Sequence, residues 1–221
     1  MNQNLLDDKL HEECGVMGIY TDSKDNTAQL LYYGLYALQH RGQESAGIAV
    51  MDKGEIQFHK EMGLVPEIFN EENLSQLVGN AGIGHVRYST TGESFVRNAQ
   101  PLVVKYKNGS LALAHNGNLV NASALREVME ESGALFQTTI DTEVVASLIA
   151  KYHKEGIVNA VKKAMELIKG SYALVLTAED KLIGVRDNFG IRPLCLGKLE
   201  SGYVLASESC ALDAVGAEFV R

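Results

Sequence analysis

Short apolar runs separated by turn residues recur along the chain, and they predict strands that pair as hairpins. One hairpin is predicted where the turn Asp52-Lys53-Gly54-Glu55 separates Gly47–Met51 from Ile56–Lys60. A second is predicted where Lys107-Asn108-Gly109, whose Asn-Gly pair suits a tight turn, separates Leu102–Tyr106 from Ser110–Ala114. Further strands are expected from Gly15 onward and at Ala81–Tyr88, Tyr172–Thr177, Lys181–Arg186, Leu194–Leu196 and Tyr203–Ser207.

Apolar residues at helical spacing predict a first helix over Thr27–Gln39. Three more helices are expected at Asn121–Ser132, Asp141–His153 and Gly156–Lys169, of which the first is followed by Gly133 as a helix end should be. Strands therefore come in hairpins and helices in pairs, without strict βαβ alternation. This order predicts an α+β fold in which mainly antiparallel sheets are covered by helical layers.

Composition and charge narrow the possible classes of protein. The 221 residues are 46% hydrophobic and 22% charged, as in ordinary soluble globular proteins, and the net charge of −8 with no basic block argues against nucleic acid as a partner. No apolar run approaches a membrane span, and the residues before Cys14 lack the apolar centre of a secretory signal. The three cysteines, Cys14, Cys195 and Cys210, are far apart and form no C-x-x-C pair. We therefore expect a cytoplasmic protein with no disulfide framework and no metal site of its own.

Cys14 is the leading candidate for a nucleophile. A polar stretch ends at Cys14-Gly15, where an apolar strand begins. If residues 1–13 were removed, the thiol and a free α-amine would belong to the same residue. An α-amine titrates near pH 8 and can act as general base for its own thiol. The alternative is a small buried hydrophobic residue that merely opens a strand.

Asn116 and Gly117 follow a predicted strand in the string His115-Asn116-Gly117-Asn118. A side-chain amide followed by a glycine can direct two N–H donors to one point, which suits the oxyanion of an acyl-transfer intermediate. Because Asn-Gly is a common turn dipeptide, an ordinary turn remains the alternative.

Arg87 and Asp141 together could hold both ends of an amino-acid zwitterion. Arg87 ends a buried strand and carries a planar fork that matches a carboxylate, although a structural salt bridge would explain it equally well. Asp141 opens a helix and could bind an ammonium group, with an N-cap role as the alternative. Arg41, at the end of the first helix, could simply bind the last helix carbonyls, and His40 is expected to make structural hydrogen bonds.

Seven strings together resemble the amidophosphoribosyltransferase family, from Cys14 to Arg221. They are CGVMGI, LQHRGQESAGIAV, GHVRYSTTG, LALAHNGNLVNA, QTTIDTEV, DNFGIRPLCLG and ASESCAL. The resemblance covers that family's class II glutamine amidotransferase half and implies the N-terminal nucleophile hydrolase fold, a four-layer α/β/β/α sandwich of two mainly antiparallel sheets. Two features distinguish this chain from the related glucosamine-6-phosphate synthases. Where this chain has LQHRGQE, the glutaminase domain of those enzymes has a string similar to Tyr-Arg-Gly-Tyr-Asp, and where this chain has Tyr88, it carries Trp.

The resemblance implies a role for each matching residue. Residues 1–13 would be a cleaved propeptide, residues 14–221 the glutaminase domain, and Cys14 the nucleophile with its own amine as base. Asn116 and the N–H of Gly117 would form the oxyanion hole. The remaining motif residues would bind substrate or shape the site: Arg87 and Thr90 at the glutamine α-carboxylate, Asp141 at its α-ammonium, and Arg41 and Tyr88 in the walls that couple the site to the acceptor domain. Cys195 and Cys210 would be packing residues.

The resemblance also implies partners and cofactors outside this chain. The glutaminase would work beside a phosphoribosyltransferase domain in cis, in an enzyme that is a homo-oligomer and makes phosphoribosylamine for purine synthesis. No cofactor is expected in residues 14–221. Mg²⁺ would bind in the other half of the enzyme. A [4Fe–4S] cluster would lie there too, and it is expected because a cleaved leader marks the subtype that carries one. Two alternatives remain: the glutaminase domain of another class II amidotransferase, and a catalytically silent module in which Cys14 stays capped.

Overall fold

Two antiparallel sheets form the centre of the computed structural model, which describes residues 14–88 and 95–221. The seven-stranded sheet has the order β11-β9-β10-β1-β4-β2-β3 and the four-stranded sheet the order β5-β6-β7-β8. The strands are β1 Gly15–Thr21, β2 Ser45–Asp52, β3 Glu55–Met62, β4 Ala81–Arg87, β5 Leu102–Tyr106, β6 Gly109–Leu119, β7 Gly170–Ala178, β8 Lys181–Arg186, β9 Cys195–Leu199, β10 Gly202–Ala206 and β11 Glu218–Phe219.

Helices cover the outer face of each sheet. They are α1 Thr27–Ala37, α2 Val65–Ile68, α3 Glu71–Ser75, α4 Ala122–Glu131, α5 Asp141–Lys151, α6 Ile157–Leu167 and α7 Ser209–Ala214. The larger sheet shares a core with α1 and α7, centred on side chains such as Met17 and Leu35. The smaller sheet shares a second core with α5 and α6, centred on side chains such as Leu113 and Ile149. In the described parts of the chain, no helix is both long and apolar enough to cross a membrane.

A thin layer of small apolar side chains joins the two sheets. Its buried members are Val16, Ala49, Ile83, Ala112, Ala114 and Val175. At Gly18 the sheets approach so closely that a Cβ atom would lie 2.5 Å from Cγ1 of Val175. The resulting order of layers, helix, sheet, sheet and helix, confirms the predicted α/β/β/α sandwich.

The structure corrects the sequence prediction in the region of β6. The strand does not end at Ala114 but continues to Leu119, so Asn116 and Gly117 lie within it, paired with Ala173 and Tyr172 of β7. The turn interpretation of Asn-Gly is therefore wrong, because cross-strand pairing with β7 overrides the local turn preference. The short elements α2, α3, α7 and β11, of two to six residues, were not predicted, because they are too short to show a hydrophobic period.

Candidate active site

Cys14 lies immediately before β1 and has a left-handed backbone conformation, with φ of 66°. Arg41 holds this backbone on both sides. The N–H of Cys14 donates to the Arg41 carbonyl at 3.0 Å, and Nε of Arg41 donates to the Cys14 carbonyl at 2.8 Å. A left-handed φ is unfavourable for a residue that has a Cβ atom, so this conformation needs such support.

The thiol of Cys14 contacts the backbone of Tyr88, which follows the neighbouring strand β4. Sγ lies 3.4 Å from the carbonyl oxygen of Tyr88 and 3.5 Å from its nitrogen. The ring of Tyr88 is not needed for these contacts, and the residue is 53% exposed. The structure thus places Tyr88 beside Cys14, the candidate nucleophile, and the contact is through the main chain of Tyr88.

Arg87 ends β4 and lies next to Cys14 across the sheet, one step beyond the pairing of Gly15 with Val86. Its buried guanidinium donates from Nη1 to Oε1 of Glu44 at 2.9 Å. The salt bridge considered in the sequence analysis therefore exists. A guanidinium has five N–H donors in a rigid fork, and this bond orients that fork.

Asn116 faces the space between the sheets at the same end as Cys14. In β6 it lies two residues after Ala114 and so shares a face with Ala112 and Ala114 of the inter-sheet layer. Cys14 likewise lies two residues before Val16, the member of that layer in β1. Nε2 of His85, opposite Val16, lies 3.2 Å from the carbonyl of His115 and joins the sheets at this level. Asn116 is fully buried, and among the described residues neither its Oδ1 nor its Nδ2 has a hydrogen-bond partner. Buried amides are normally bonded, so this one is available to a ligand.

Gly117 occupies a position that only glycine tolerates. Its φ is 139°, and a Cβ atom would lie 2.1 Å from the carbonyl oxygen of Ser171 in β7. The strand can therefore pass close to β7 with the Gly117 peptide next to the Asn116 amide.

Asp141 is the first residue of α5 rather than its N-cap, which is Ile140. Its carboxylate lies 3.1 Å from Nδ1 of His115 and accepts the N–H of Leu119 at 3.1 Å. Burial opposes ionisation of Asp141, but the nearby His115 and the hydrogen bonds from Leu119 and Thr142 outweigh it and lower the carboxyl pKa. Asp141 is thus an anion that braces β6, and the N-cap interpretation is wrong because the carboxylate is turned toward β6.

Comparison with known proteins shows the family of this chain. Residues 85–214, more than half of the chain, match a family model described as a glutamine amidotransferase domain. The chain belongs to the glutamine amidotransferase domain family. The amidotransferase domain is 52% identical over 210 residues to amidophosphoribosyltransferase of Archaeoglobus fulgidus, covering 94% of this chain and 46% of that protein. It is 51% identical over 220 residues to the Synechocystis enzyme, covering 97% and 44%.

Solved structures agree with this assignment. The glutamine phosphoribosylpyrophosphate amidotransferase of B. subtilis, in a complex with ADP and GMP, superposes with a TM-score of 0.86 at 44% identity, covering 94% of this chain and 45% of that one. A structure described as the allosteric regulatory enzyme of purine biosynthesis gives 0.89 at 45% identity, with 94% and 44% covered. The fold and family expected from the motifs are confirmed. The chain spans about half the length of these relatives.

Sequence reasoning missed several residues that organise the amidotransferase site. Glu44 binds Arg87, and Glu208 binds both Arg41 and His40, whose Nε2 is 3.1 Å from Oε2 of Glu208. His40 makes the structural hydrogen bonds expected of it, and it is His40, not Arg41, that bonds the last helix carbonyl, that of Ala37. Glu44 and Glu208 do lie within two of the motif strings, but nothing in the strings shows which cation each one meets.

His85 is a further buried group of the amidotransferase domain that the sequence did not single out. Its ring is fully buried, which lowers its pKa to about 3, and the nearby Arg87 and His115 act in the same direction. His85 is therefore neutral near pH 7. Thr90, predicted beside the substrate carboxylate, lies outside the described residues, as does the predicted propeptide.

Cys195 and Cys210 lie away from the thiol of Cys14. Cys210 packs at the end of α1, with Sγ 3.8 Å from the Ala37 carbonyl. Cys195 lines a cavity of about 1010 Å³, together with Tyr20, Leu182 and Leu205. Within residues 14–88 and 95–221, no cluster of three or more His, Cys, Asp or Glu side chains could hold a metal ion.

Proposed function

We propose that this domain hydrolyses the side-chain amide of glutamine, with Cys14 as the nucleophile. The observation that carries the proposal is the pairing of two features at one end of the inter-sheet space. The thiol of Cys14 lies at the start of β1, and the buried Asn116 amide, without a partner among the described residues, faces the same space from β6. A thiol and an unused N–H donor at one end of the same space are the groups that acyl transfer requires.

In the proposed reaction the α-amine of Cys14, free after loss of residues 1–13, takes the thiol proton. Sγ then attacks the amide carbon, and the oxyanion is bound by Nδ2 of Asn116 and the N–H of Gly117. Collapse of the intermediate expels ammonia, which receives the proton, and leaves a γ-glutamyl thioester. Water hydrolyses the thioester to glutamate and restores the thiol. The bond from the Cys14 nitrogen to the Arg41 carbonyl would orient the lone pair of the amine.

Two groups of opposite charge would hold the amino-acid end of glutamine. Arg87, oriented by Glu44, would bind the α-carboxylate with Thr90, and Asp141, kept anionic by its neighbours, would bind the α-ammonium. Arg41 would act on Cys14, and Tyr88 would line the mouth of the site.

In the whole enzyme we propose that the ammonia passes to phosphoribosyl pyrophosphate and yields phosphoribosylamine, the first step of purine synthesis. Support comes from the amidophosphoribosyltransferases that this chain resembles, of which it spans about half. The acceptor site, with its Mg²⁺ and any [4Fe–4S] cluster, would belong to a second domain in cis. A cytoplasmic homo-oligomer remains our prediction for the complete protein.

The test measures glutamate release from glutamine by the purified 221-residue chain and by Cys14→Ser. We expect slow release by the wild-type chain and none by the variant. Phosphoribosyl pyrophosphate and Mg²⁺ should neither stimulate the reaction nor be consumed in it. Absence of glutamate release from a chain that has lost residues 1–13 would favour the silent-module alternative instead. Stoichiometric pyrophosphate release would reveal a second active site in this chain.

Maturation can be tested with the same preparation. An acylated nitrogen is not basic enough to take the thiol proton, so activity should require a chain that begins at Cys14. Intact-mass spectrometry run beside the glutaminase assay should show activity rising with the fraction of processed chain. Full activity in protein that still carries residues 1–13 would refute this part of the mechanism.

A further inference from the structure

We propose that Glu208 is a positioning residue for Cys14 that acts through Arg41. The inference rests on the proposed function and adds a residue to that site. Glu208 lies between β10 and α7, far from Arg41 in the sequence, and its side chain touches neither the thiol nor the Asn116 amide in any contact that the structure gives. Its influence would pass through one buried guanidinium.

Arg41 is the group that holds the backbone of the nucleophile. Its carbonyl accepts the N–H of Cys14 at 3.0 Å and its Nε donates to the carbonyl of Cys14 at 2.8 Å. These two bonds bracket a residue whose φ is 66°, a conformation that a non-glycine residue rarely adopts. The direction of the Cys14 thiol therefore depends on where the Arg41 side chain lies.

Glu208 is an ionic partner of that side chain. Nη1 of Arg41 forms an ion pair with Oε1 of Glu208, while the other carboxylate oxygen lies 3.1 Å from Nε2 of His40. The Arg41 side chain is 2% exposed and that of Glu208 is 33% exposed, so the carboxylate meets a guanidinium that has almost no access to water. Loss of the carboxylate would remove an ion pair from this buried guanidinium and weaken the hold that directs Nε of Arg41 at the Cys14 carbonyl.

The residue before Glu208 supports the same segment of β1. The Ser207 hydroxyl accepts the N–H of Val16 at 2.9 Å, and the N–H of Ser207 donates to the Val16 carbonyl at 3.0 Å. Cys14–Val16 is thus held on one side by β4 and Tyr88 and on the other by Ser207 and Glu208. The end of β10 is therefore part of the support of the nucleophile.

The experiment compares Glu208→Ala and Glu208→Gln with the wild-type chain, all processed to begin at Cys14. Loss of nucleophile alignment should lower kcat of Glu208→Ala by about 10- to 100-fold. KM should stay within about twofold, because Arg87 and Asp141 do not depend on Glu208. Glu208→Gln should retain more kcat than Glu208→Ala, because its amide oxygen can still accept from Nη1. The matched control is Glu155→Ala, which removes a carboxylate paired with Lys163 at 2.5 Å on the surface.

Hydrogen exchange followed by mass spectrometry supplies a measurement that does not need activity. Exchange should rise in peptides spanning residues 14–20 and 39–44 of Glu208→Ala, with helices α5 and α6 unchanged. If the wild-type chain releases no glutamate, the proposed function fails, and this measurement alone decides the present inference. The inference is overturned if exchange in residues 14–20 is unchanged. When the wild-type chain is active, three kinetic results also overturn it. The first is a kcat of Glu208→Ala within twofold of wild type, and the second is an equal loss of kcat in Glu155→Ala. The third is an equal loss of kcat in both Glu208 variants together with a lowered Tm.

Discussion

The three cysteines of this chain differ at the scale of single residues in their immediate neighbours. Burial raises the thiol pKa of both Cys195 and Cys210, and the Glu208 carboxylate adds to the effect at each. Cys14 instead has its thiol beside the Tyr88 backbone and its main chain between the carbonyl and the guanidinium of Arg41. Since the thiolate is the reactive form, Cys195 and Cys210 are disfavoured as nucleophiles at neutral pH.

Asn116→Ala should lower kcat for glutamine hydrolysis by about 10²–10³-fold with little change in KM, because an oxyanion donor acts mainly in the transition state. Asn118→Ala is the matched control, since Asn118 lies two residues further along β6 but is exposed. Steady-state kinetics of both variants test the assignment. Equal losses in the two variants would show that the strand, and not the amide, is responsible.

Arg87→Ala should chiefly raise KM for glutamine, because it removes a charge-assisted clamp on the α-carboxylate worth about 2–5 kcal/mol. The same change leaves Glu44 as a partly buried carboxylate without this partner, so Tm should be measured as well. Cys195→Ser, which changes a thiol that lines the cavity with Tyr20, is the control and should be nearly as active as wild type. A Cys195 variant more damaged than the Arg87 variant would mean that the wrong cysteine and the wrong pocket have been assigned.

At the scale of elements, β6 carries both residues of the predicted oxyanion hole, Asn116 and Gly117, and is held along both of its edges. On one side it pairs with β7 as far as Leu119. On the other side its pairing with β5 ends at Leu113, and beyond that point side chains accept its backbone N–H groups. Gln100 accepts the N–H of His115 at 2.8 Å, and Asp141 accepts the N–H of Leu119 at 3.1 Å. The strand segment that presents Asn116 and Gly117 is therefore rigid before substrate arrives.

Gly117→Ala should destabilise the fold by about 3 kcal/mol or more and abolish glutaminase activity, because strain at the left-handed φ is added to a clash with the β7 backbone. Gly133→Ala isolates the strain, since Gly133 also has a positive φ, of 92°, but a Cβ atom there would meet nothing within 4 Å. It should cost about 1 kcal/mol. Urea unfolding of both variants gives the comparison, and similar free energies of unfolding would rule out the clash.

At the scale of the whole molecule, the sandwich depends on the layer of buried apolar side chains between the two sheets. Toward Cys14 this layer also contains the polar side chains of His85 and Asn116. His85 lies in this layer opposite Val16 and bridges the sheets to the His115 carbonyl. Because burial lowers its pKa to about 3, protonation of His85 is coupled to exposure of its ring on unfolding.

The sign of the pH dependence follows from that pKa. The unfolded chain takes up the His85 proton near pH 6.5 and the folded chain only near pH 3, so stability should fall as the pH drops through this window. The loss from this residue should reach about 2 kcal/mol between pH 7 and pH 5. The carboxyl groups of Asp141, Asp187 and Glu208, whose pKa values are lowered, lose their contribution only at lower pH.

His85→Gln should therefore flatten the free energy of unfolding between pH 7 and pH 5, while glutamine can still donate to the His115 carbonyl. His153→Gln, a half-buried histidine at the end of α5, should keep the wild-type slope. Urea titrations at several pH values supply the measurement. An unchanged slope in the His85 variant would show that this histidine is not buried in its neutral form.

The sequence by itself determined the elements with a full hydrophobic period and the antiparallel class of fold, and it named the candidate site residues. Hydrophobic periodicity depends only on residues close in sequence. The residue type alone fixes whether a side chain carries a thiol, an amide, a guanidinium or a carboxylate, so Cys14, Asn116, Arg87 and Asp141 could be named as candidates without coordinates. The tertiary structure decided which groups meet. Only the folded chain brings Glu208 to Arg41, Glu44 to Arg87 and His115 to Asp141, pairs separated by up to 167 residues. Pairing with β7 likewise turned an Asn-Gly turn signal into strand, because contacts distant in sequence outweigh a local preference when the strand is buried.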